Sequence, residues 1–298
     1  MSKHDTQYAP TEGTVNSKKR PLILVTNDDG IASPGLLVAA RCVLDLGDVW
    51  VVAPHAQQSG RGRSFPNHQI DVTEGSLEID GVHVPSFSAK ASPAQAVRHG
   101  ILRFLPRLPD LAISGINYGE NLGGCITISG TIGAAIESAT FGIPSLAASV
   151  ETAPEYHYSH SADVAFGPAA AFVRWLASHL LLHGMPEGVD VLKLDVPCDA
   201  KPNTPWRTTR VSRQQYFVSP VTVDEQGLRH VSGYAKDIDL DTLEPDSDIH
   251  ALAVDRVVSI SPLTIDLTAI VGLQDLRNVL SISDPAPRSG CTKRDWTL

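Results

Sequence analysis

Short apolar segments alternate along the chain with segments in which apolar residues recur at helical spacing. Five apolar segments have the length and composition of buried strands, namely Leu22–Thr26, 49–53, 111–114, Ser145–Val150 and Val191–Val196. Helical periodicity begins at Pro34 and ends at Gly47, and it returns in segments 94–102, 132–139 and 172–180. This alternation predicts an α/β fold in which crossover helices join the strands of a mainly parallel sheet.

Several segments outside this alternation have the pattern of additional β structure. Residues 79–87, with Gly81 at a turn position, predict a hairpin or an extra strand beside the main sheet. The alternation in residues 207–231, around a turn at 224–227, predicts a C-terminal β-hairpin that projects from the body as an oligomerisation arm. The last predicted elements are two strands and a short helix, at 257–261, 263–267 and Leu273–Leu280.

The composition predicts a globular protein with one large domain. The chain has 298 residues, of which 42% are hydrophobic, and this is enough to bury a large core. Residues 1–20 are polar and are expected to form a disordered leader. Residues 21–283 are expected to form the single domain with its arm at about 207–231, and residues 284–298 a flexible tail.

Charge, hydropathy and cysteine content restrict the partners and the compartment. A formal net charge of −9 argues against a nucleic acid duplex as a partner, because polyanions are normally bound by a basic face. The polar leader does not have the pattern of a signal peptide, and no apolar run approaches the length that spans a membrane. The four cysteines form no CxxC pair, which argues against a zinc ribbon or a disulfide framework and favours a reducing cytoplasm.

Two adjacent carboxylates, Asp28 and Asp29, directly follow the first predicted strand in the segment TNDDGIASPG. Like charges in contact need water, a hydrogen-bond donor or a metal ion to offset their repulsion. Asn, Asp and Gly are also common turn residues, so this segment alone predicts a turn as readily as a metal site. Because the carboxyl ends of parallel strands converge, the loops after the other strands decide between the two interpretations.

Three further segments place polar groups where the predicted parallel strands have their carboxyl ends. APHAQQSGRGRSF carries Ser59, ISGINYGENLGG carries Asn117 and Asn121, and the segment SGT at 129–131 opens a helix whose N-terminus can hold a phosphate. Each segment alone is compatible with a surface loop or a helix cap, and their convergence is what favours a site. Oxygen ligands suit Mg²⁺ or Mn²⁺ rather than zinc, and they predict hydrolysis of a phosphate ester by metal-activated water.

Four ordered motifs resemble those of the SurE (survival protein E) nucleotidases: NDDG-x-x-x-PG, the QSG loop, SGIN-x-G-x-NLG and SGT-x-x-A-A. The similarity extends from about Pro21 to about Leu280. It implies a Rossmann-like α/β body with a β-hairpin arm, assembled as a homodimer or homotetramer. It also implies a divalent-metal phosphomonoesterase that acts on nucleoside 5′- and 3′-monophosphates and, in some members, on polyphosphate as an exopolyphosphatase.

The resemblance implies a set of site residues through the matching motifs. The ligands of one divalent ion per subunit, Mg²⁺ or Mn²⁺, would be Asp28, Asp29, Ser59 and Asn117. The residues that hold the phosphate would be Asn121, Ser129, Gly130 and Thr131. One aspartate, Asp28 in our hypothesis, orients or deprotonates the attacking water, and the sequence does not separate this route from a covalent aspartyl intermediate.

Three departures from the family's usual motifs concern the substrate. Residues 92–96 read SPAQA where the family usually has TP-x-DC, and the fifth strand carries Lys193 and Asp195 in place of asparagines. The loop after QSG carries Arg61 and Arg63, which are either solvated surface charges or contacts to a second anionic group of the substrate. The second interpretation leads us to the hypothesis of a substrate with more charge than AMP.

Two alternative functions remain open on the sequence. One is a specialised biosynthetic phosphatase of the same fold, and the other is a nucleotide-binding member without turnover. A phosphoacceptor receiver domain is disfavoured, because Ser114 stands at the end of the third strand where that module needs an aspartate. His157 and His160 are expected in a solvent-exposed or substrate-rim loop rather than as a metal-binding pair.

Overall fold

A nine-stranded sheet forms the centre of the computed structural model, which describes residues 19–161, 163–231, 233–269 and 272–280. The strands are β1 Leu22–Thr26, β2 Asp48–Pro54, β3 Val72–Ile79, β4 Val82–Ala89, β5 Leu111–Tyr118, β6 Ser145–Val150, β7 Val191–Val196, β8 Trp206–Thr208, β9 Phe217–Val218, β10 Val221–Val223, β11 Arg229–Val231, β12 Ala235–Lys236 and β13 Val258–Leu263. The order in the large sheet is β3-β4-β2-β1-β5-β6-β7-β13-β8.

Most neighbours in this sheet are parallel. β4, β2, β1, β5, β6 and β7 run in the same direction, whereas β3 pairs antiparallel with β4 and β13 antiparallel with β7. The predicted Rossmann-like α/β fold with a mainly parallel sheet is therefore confirmed. The carboxyl ends of β1, β2, β5 and β6 meet at one edge, which is where ligands bind in open sheets of this kind.

Helices pack on both faces of the sheet. They are α1 Pro34–Arg41, α2 Pro93–His99, α3 Gly130–Ala139 and α4 Gly167–His183. Ile23 and Val25 of β1 pack in one apolar cluster with side chains of α1 and α4, and Leu24 packs in another with side chains of α2 and α3. A strand buried on both faces explains the uninterrupted apolar run that predicts β1.

The predicted strands and helices match most of these elements. The bounds of β1, β6 and β7 agree with the prediction, and β2 extends the predicted 49–53 by one residue at each end. β5 continues past the predicted end at residue 114 to Tyr118, because it resumes its pairing with β6 after an irregularity between Ser114 and Asn117. Helix α1 ends at Arg41, earlier than the predicted stop at Gly47.

The β structure outside the parallel core differs from the prediction in two places. β3 and β4 form the expected hairpin, and its turn residues Asp80 and Gly81 both have positive φ. The predicted arm at 207–231 is wrong in its first part, because β8 pairs with β13 in the main sheet and only β10 and β11 form the hairpin. The predicted strand pair at 257–261 and 263–267 is also wrong: β13 is one strand whose two neighbours, β7 and β8, come from earlier in the chain.

Two compact units divide the chain, Met1–Ile265 and Asp266–Leu298. The second contains helix α5, Leu273–Leu280, as predicted. The predicted tail at 284–298 and all but the last two residues of the predicted leader lie outside the described residues, so the predicted domain limits stay a prediction. In the part of the chain that the structure describes, no helix combines the length and the hydropathy needed to cross a membrane.

Candidate active site

The turn after β1 holds two aspartates in fixed positions. Asn27 closes this turn, since its Nδ2 donates to the Gly30 carbonyl at 3.0 Å and its Oδ1 accepts from the Gly30 N–H at 3.2 Å. Gly30 has φ of 99°, and a Cβ there would lie 3.2 Å from the backbone of Ala56, so the turn requires glycine. The result is that Asp28 and Asp29 are buried, with exposures of only 4% and 1%.

The N-terminus of helix α3 lies against Asp28. Thr131 donates its hydroxyl to Asp28 Oδ1 at 2.6 Å, and a Cβ on Gly130 would come within 2.6 Å of the Asp28 Cβ. Ser129 caps the helix by accepting from the Ile132 N–H at 3.2 Å, and the first turn carries no acidic residue. The helix therefore presents its partial positive end beside Asp28, and Gly130 makes the close approach feasible.

Asp29 lies deeper and is held by groups from three segments. Its Oδ1 accepts from Gln57 Nε2 at 3.1 Å and its Oδ2 from the Tyr118 N–H at 3.3 Å, while its carbonyl oxygen lies 2.9 Å from His160 Nε2. Gln57 also donates to Ser59 Oγ at 3.0 Å, which links the serine to the aspartate. Both Gln57 and His160 thus contact Asp29 directly. The sequence motifs did not mark Gln57, whereas His160 was expected in a solvent-exposed or substrate-rim loop.

The two asparagines each use their amide nitrogen to fix their position. Asn117 donates from Nδ2 to the Gly119 carbonyl at 2.6 Å, which leaves its Oδ1 available as a ligand. Asn121 donates from Nδ2 to Ser149 Oγ at 2.9 Å, and the second hydrogen of that amide group is available to an anion. Hydrogen bonds thus fix both asparagine side chains at the cavity, and the roles that the motifs imply for them stay a prediction.

A cavity of about 320 Å³ brings most of the predicted residues together. Those that line it are Asp28, Ser59, Asn117, Asn121, Ser129 and Gly130. Asp29 and Thr131 are buried behind this wall, where Thr131 bonds Asp28 and Asp29 bonds Gln57. The predicted site residues from four loops therefore form one pocket and the layer that supports it.

Aromatic side chains also line the cavity. The His157 ring stacks on Tyr234 with centroids 5.7 Å apart and an interplanar angle of 9°, and Phe217 meets both rings edge to face. Tyr234 Oη lies 2.6 Å from His157 Nδ1, and burial lowers the pKa of His157. A Cβ on Gly119 would lie 2.7 Å from His157 Nε2, so glycine at 119 admits the imidazole. Of the two positions predicted for His157, solvent-exposed or at the substrate rim, its place in the cavity wall is compatible with the second.

The two arginines after the QSG loop have different surroundings. Arg63 donates from Nε to Glu137 Oε2 at 2.8 Å, and Arg98 donates from Nε to Glu137 Oε1 at 2.6 Å. Glu137 is fully buried in α3, so these two arginines neutralise it. Arg61 lines a different, neighbouring cavity. Neither Arg61 nor Arg63 lines the cavity at Asp28, and their predicted contact with the substrate stays a prediction.

The two aspartates lie close together in a buried environment that disfavours their negative charge. Burial raises the pKa of Asp28, and burial together with the Asp28 charge raises the pKa of Asp29 well above its usual value. Within the described residues, no Lys, Arg or His side chain forms an ion pair with either carboxylate. The carboxylate, amide and hydroxyl oxygens around them are the ligands that a hard divalent cation prefers, so the residues fit Mg²⁺ or Mn²⁺.

A second buried carboxylate pair, at the end of β7, has its own cation. Lys193 Nζ lies 2.5 Å from Asp195 Oδ2 and 3.0 Å from Asp248 Oδ2, and all three side chains are fully buried. Asp195 Oδ1 accepts from the Asn121 N–H at 2.7 Å, and Asp248 Oδ2 accepts from the Gly123 N–H at 3.1 Å. Lys193 and Asp195, which stand where the family usually has asparagines, thus form one ion cluster with Asp248. Through its hydrogen bonds this cluster holds the loop that carries Asn121.

A third acidic cluster contains Glu151, Cys198 and Asp199. Arg256 Nη2 lies 2.6 Å from Glu151 and 2.5 Å from Asp199, and Lys236 Nζ lies 3.2 Å from Glu151. The neighbouring cations hold the pKa of Glu151 at about 2 in spite of its burial. Because arginine and lysine already neutralise this cluster, it is a poorer metal site than the pair at Asp28 and Asp29.

Known proteins similar to this chain belong to one family. The family described as Survival protein SurE matches residues 23–218. A protein of Thermococcus gammatolerans named 5′-nucleotidase SurE is 41% identical over 264 residues, which cover 87% of this chain and 95% of that protein. A protein of Archaeoglobus fulgidus with the same name is 40% identical over 252 residues, covering 84% of this chain and 93% of that protein.

A solved structure is similar over nearly the same extent. The crystal structure of the SurE protein from Aquifex aeolicus superposes with a TM-score of 0.71 at 28% sequence identity. The match covers 89% of this chain and 100% of that chain. The similarity therefore includes the strand ends that carry the cavity as well as the body of the sheet.

Proposed function

The chain belongs to the family of survival protein SurE, and from this premise we propose that it is a phosphomonoesterase that hydrolyses nucleoside 5′- and 3′-monophosphates with the help of a divalent metal ion. The observation that carries the proposal is the pair of buried carboxylates, Asp28 and Asp29, beside an open cavity and a helix N-terminus. Among the residues that the structure describes, neither carboxylate has a basic partner. The names of the relatives, 5′-nucleotidase SurE, support the substrate class.

In the proposed site one Mg²⁺ or Mn²⁺ ion per subunit is held by Asp28, Asp29, Ser59 and Asn117. When bound, the ion supplies Lewis-acid polarisation of a phosphoryl oxygen and lowers the pKa of a coordinated water. Thr131 and Gln57 position the two carboxylates through their hydrogen bonds. Asn121, Ser129 and Gly130 face the same cavity and are proposed to hold the phosphate together with the N-terminus of α3.

The proposed reaction is direct attack by water. The water oxygen forms a bond to phosphorus, the phosphoester bond breaks, Asp28 accepts the proton of the water, and the released nucleoside oxygen takes up a proton. A covalent aspartyl phosphate is the alternative. The configuration at phosphorus distinguishes the two routes when the substrate carries a phosphate made chiral with oxygen isotopes, because one direct displacement inverts it and two displacements through an aspartyl phosphate retain it.

The aromatic wall supports a nucleoside as the leaving group. Phe217 and Tyr234 line the same cavity as Asp28, and base–aromatic stacking contributes about 1–3 kcal/mol per base. The exposed valines of the β10–β11 hairpin, Val221, Val223 and Val231, support its proposed use in a homodimer or homotetramer. We further propose that the protein works in the cytoplasm, and that its substrate range extends to a more highly charged ester or to polyphosphate.

The test is release of inorganic phosphate from a panel of nucleoside 5′- and 3′-monophosphates and short polyphosphate, with Mg²⁺, with Mn²⁺ and with a chelator. Asp28→Asn keeps the size of the side chain and an oxygen that can accept from Thr131, so loss of activity by about 10²–10⁴-fold is expected without loss of the fold. Asp241→Asn, at an exposed position away from the cavity, is the matched control. Metal-independent release, or full activity in Asp28→Asn, would contradict the proposal.

A further inference from the structure

A second cavity of about 330 Å³ lies beside the proposed active site and has no role in it. It is formed by the chain after β2, by residues near Pro66, and by the chain after β4. The residues that line it are His55, Ala56, Gln58, Arg61, Pro66, His68, Ala89, Lys90, Ala91 and Ser92. None of these lining residues is acidic, and two of them, Arg61 and Lys90, carry a positive charge.

The concentration of positive charge in this cavity is local. The chain as a whole has a formal net charge of −9, so an arginine and a lysine around one cavity without a carboxylate in its wall are not the average surface of this protein. Lys90 has one acidic neighbour, Asp71, at 3.6 Å, but both side chains are more than half exposed and solvent weakens such a pair. The cavity therefore attracts an anion.

Arg61 is the side chain best placed to bind that anion. Within the described residues, its guanidinium group makes no hydrogen bond or ion pair, in contrast to Arg63, whose Nε is bound to Glu137. A planar guanidinium group with free donors can bind two oxygens of a phosphate at once, and Lys90 adds a second positive charge across the cavity. Gln58 and the two imidazoles supply further polar groups.

The cavity and the proposed active site share one short segment of chain. Ser59 and Gly60 line the active-site cavity, whereas Gln58 and Arg61, on either side of them, line the basic cavity. The Gln58 N–H donates to the carbonyl oxygen of Asp28 at 2.7 Å, so the segment is also bonded to the aspartate turn. A ligand of Arg61 is thus in contact with the loop that carries Ser59.

We propose that this basic cavity, with Arg61 and Lys90 as its main cations, is a binding site for a phosphate group other than the one that is hydrolysed. The phosphate belongs either to a second phosphorylated position of the substrate or to a free phosphate anion. The proposal rests on the proposed function only in treating the neighbouring cavity as the hydrolytic site.

The experiment compares the wild type with the double variant Arg61→Gln/Lys90→Gln, both loaded with Mn²⁺. Arg213→Gln/Lys201→Gln, which removes the same charge from two exposed residues that line neither cavity, is the matched control. In the kinetic arm, kcat/KM is measured for a nucleoside 5′-monophosphate and for the corresponding nucleoside 3′,5′-bisphosphate. In the binding arm, calorimetry counts the equivalents of inorganic phosphate that each protein binds.

The two arms separate the two sources of the phosphate. If the substrate carries it, the double variant loses roughly tenfold in kcat/KM for the bisphosphate and keeps its rate on the monophosphate, and the control variant changes neither. If a free anion is the ligand, the ratio of rates is unchanged, but the double variant binds one equivalent of phosphate fewer than the wild type and the control. Unchanged rates together with unchanged stoichiometry would overturn the proposal.

The outcome remains decisive if the proposed function is wrong. A wild type that hydrolyses no nucleotide would contradict the phosphomonoesterase, but the number of phosphate equivalents lost in Arg61→Gln/Lys90→Gln would still decide whether the basic cavity binds an anion.

Discussion

Two pairs of buried aspartates lie toward the carboxyl ends of parallel strands, and they differ in whether the protein supplies a cation. Asp195 and Asp248 are bonded to Lys193, and all three are fully buried. Asp28 and Asp29 are almost as buried, but in the described part of the chain no basic side chain pairs with them. We infer that the first pair is a structural support and that the second takes its cation from solution.

The difference matters because a buried charge without compensation is costly. Removing one partner of a buried ion pair costs about 3–5 kcal/mol, whereas a carboxylate that lacks a partner can become neutral or bind a metal ion. Even beside Lys193, burial raises the pKa of Asp195 to about 6. An aspartate pair without such a lysine therefore has more to gain from an added cation.

The largest expected effect is on the structural cluster. Lys193→Met leaves two buried carboxylates without a cation, and we expect it to lower the free energy of unfolding by about 3–5 kcal/mol in a chemical denaturation experiment. Asp28→Asn, measured in the presence of a chelator, is expected to leave that free energy unchanged or to raise it, because one of two adjacent charges disappears.

A double variant tests whether Lys193 and its two aspartate partners act as one charged cluster. Lys193→Asn alone leaves both aspartates unpaired, whereas Lys193→Asn/Asp195→Asn removes a positive and a negative charge together. The double variant is therefore expected to be more stable than Lys193→Asn by about 1–2 kcal/mol, although it carries one substitution more. Strict addition of the two single effects would show that the residues do not act as one cluster.

The third acidic cluster offers a prediction about pH. Arg256 and Lys236 hold the pKa of Glu151 at about 2, below its ordinary value of 4.5. A carboxyl whose pKa is lowered by folding contributes stability above its unfolded pKa, and this contribution is lost as the pH falls from about 4.5 to about 2. We expect the advantage of the wild type over Glu151→Gln, at most about 3 kcal/mol near neutral pH, to disappear in that range.

Unfolding in urea at a series of pH values measures this advantage. A difference between wild type and Glu151→Gln that stays constant down to pH of about 2 would show that the ion pairs of Glu151 do not stabilise the fold.

The last prediction concerns the contact between α3 and Asp28. Gly130→Ala places a methyl group 2.6 Å from the Asp28 Cβ, so the helix end or the aspartate must move. We expect kcat/KM to fall by about 10–100-fold, because small displacements of reacting groups have effects of this size. Gly167→Ala, where the added Cβ has no neighbour within 4 Å, serves as the control in the same phosphate-release assay. Equal activities of the two variants would mean that the contact does not position Asp28.

The strand ends explain why so much of the cavity could be predicted. Parallel strands place their carboxyl ends together. The common location of Asp28, Ser59 and Asn117 could therefore be inferred from the apolar runs that precede them. The N-cap at Ser129 is a local property of the chain and is equally visible in the sequence.

The supporting residues could not be predicted because they depend on contacts between distant segments. His157, Phe217 and Tyr234 meet only after the chain folds back beyond the parallel core. Arg61 and Arg63 have the same chemistry and are two positions apart, yet only Arg63 faces the buried Glu137. The sequence marked such positions only where its residues differ from the family's usual motifs. This difference drew attention to Lys193 and Asp195 but did not indicate which residues they contact.

The most direct test of the proposed metal site is titration of Mn²⁺ into metal-free protein, followed by calorimetry or by the electron paramagnetic resonance of free Mn²⁺. We expect one saturable site per chain in the wild type, loss of that site in Asp28→Asn, and its retention in Glu151→Gln. Retention in Asp28→Asn with loss in Glu151→Gln would assign the metal to the other acidic cluster, and absence of saturable binding in the wild type would contradict the inferred role of the aspartate pair.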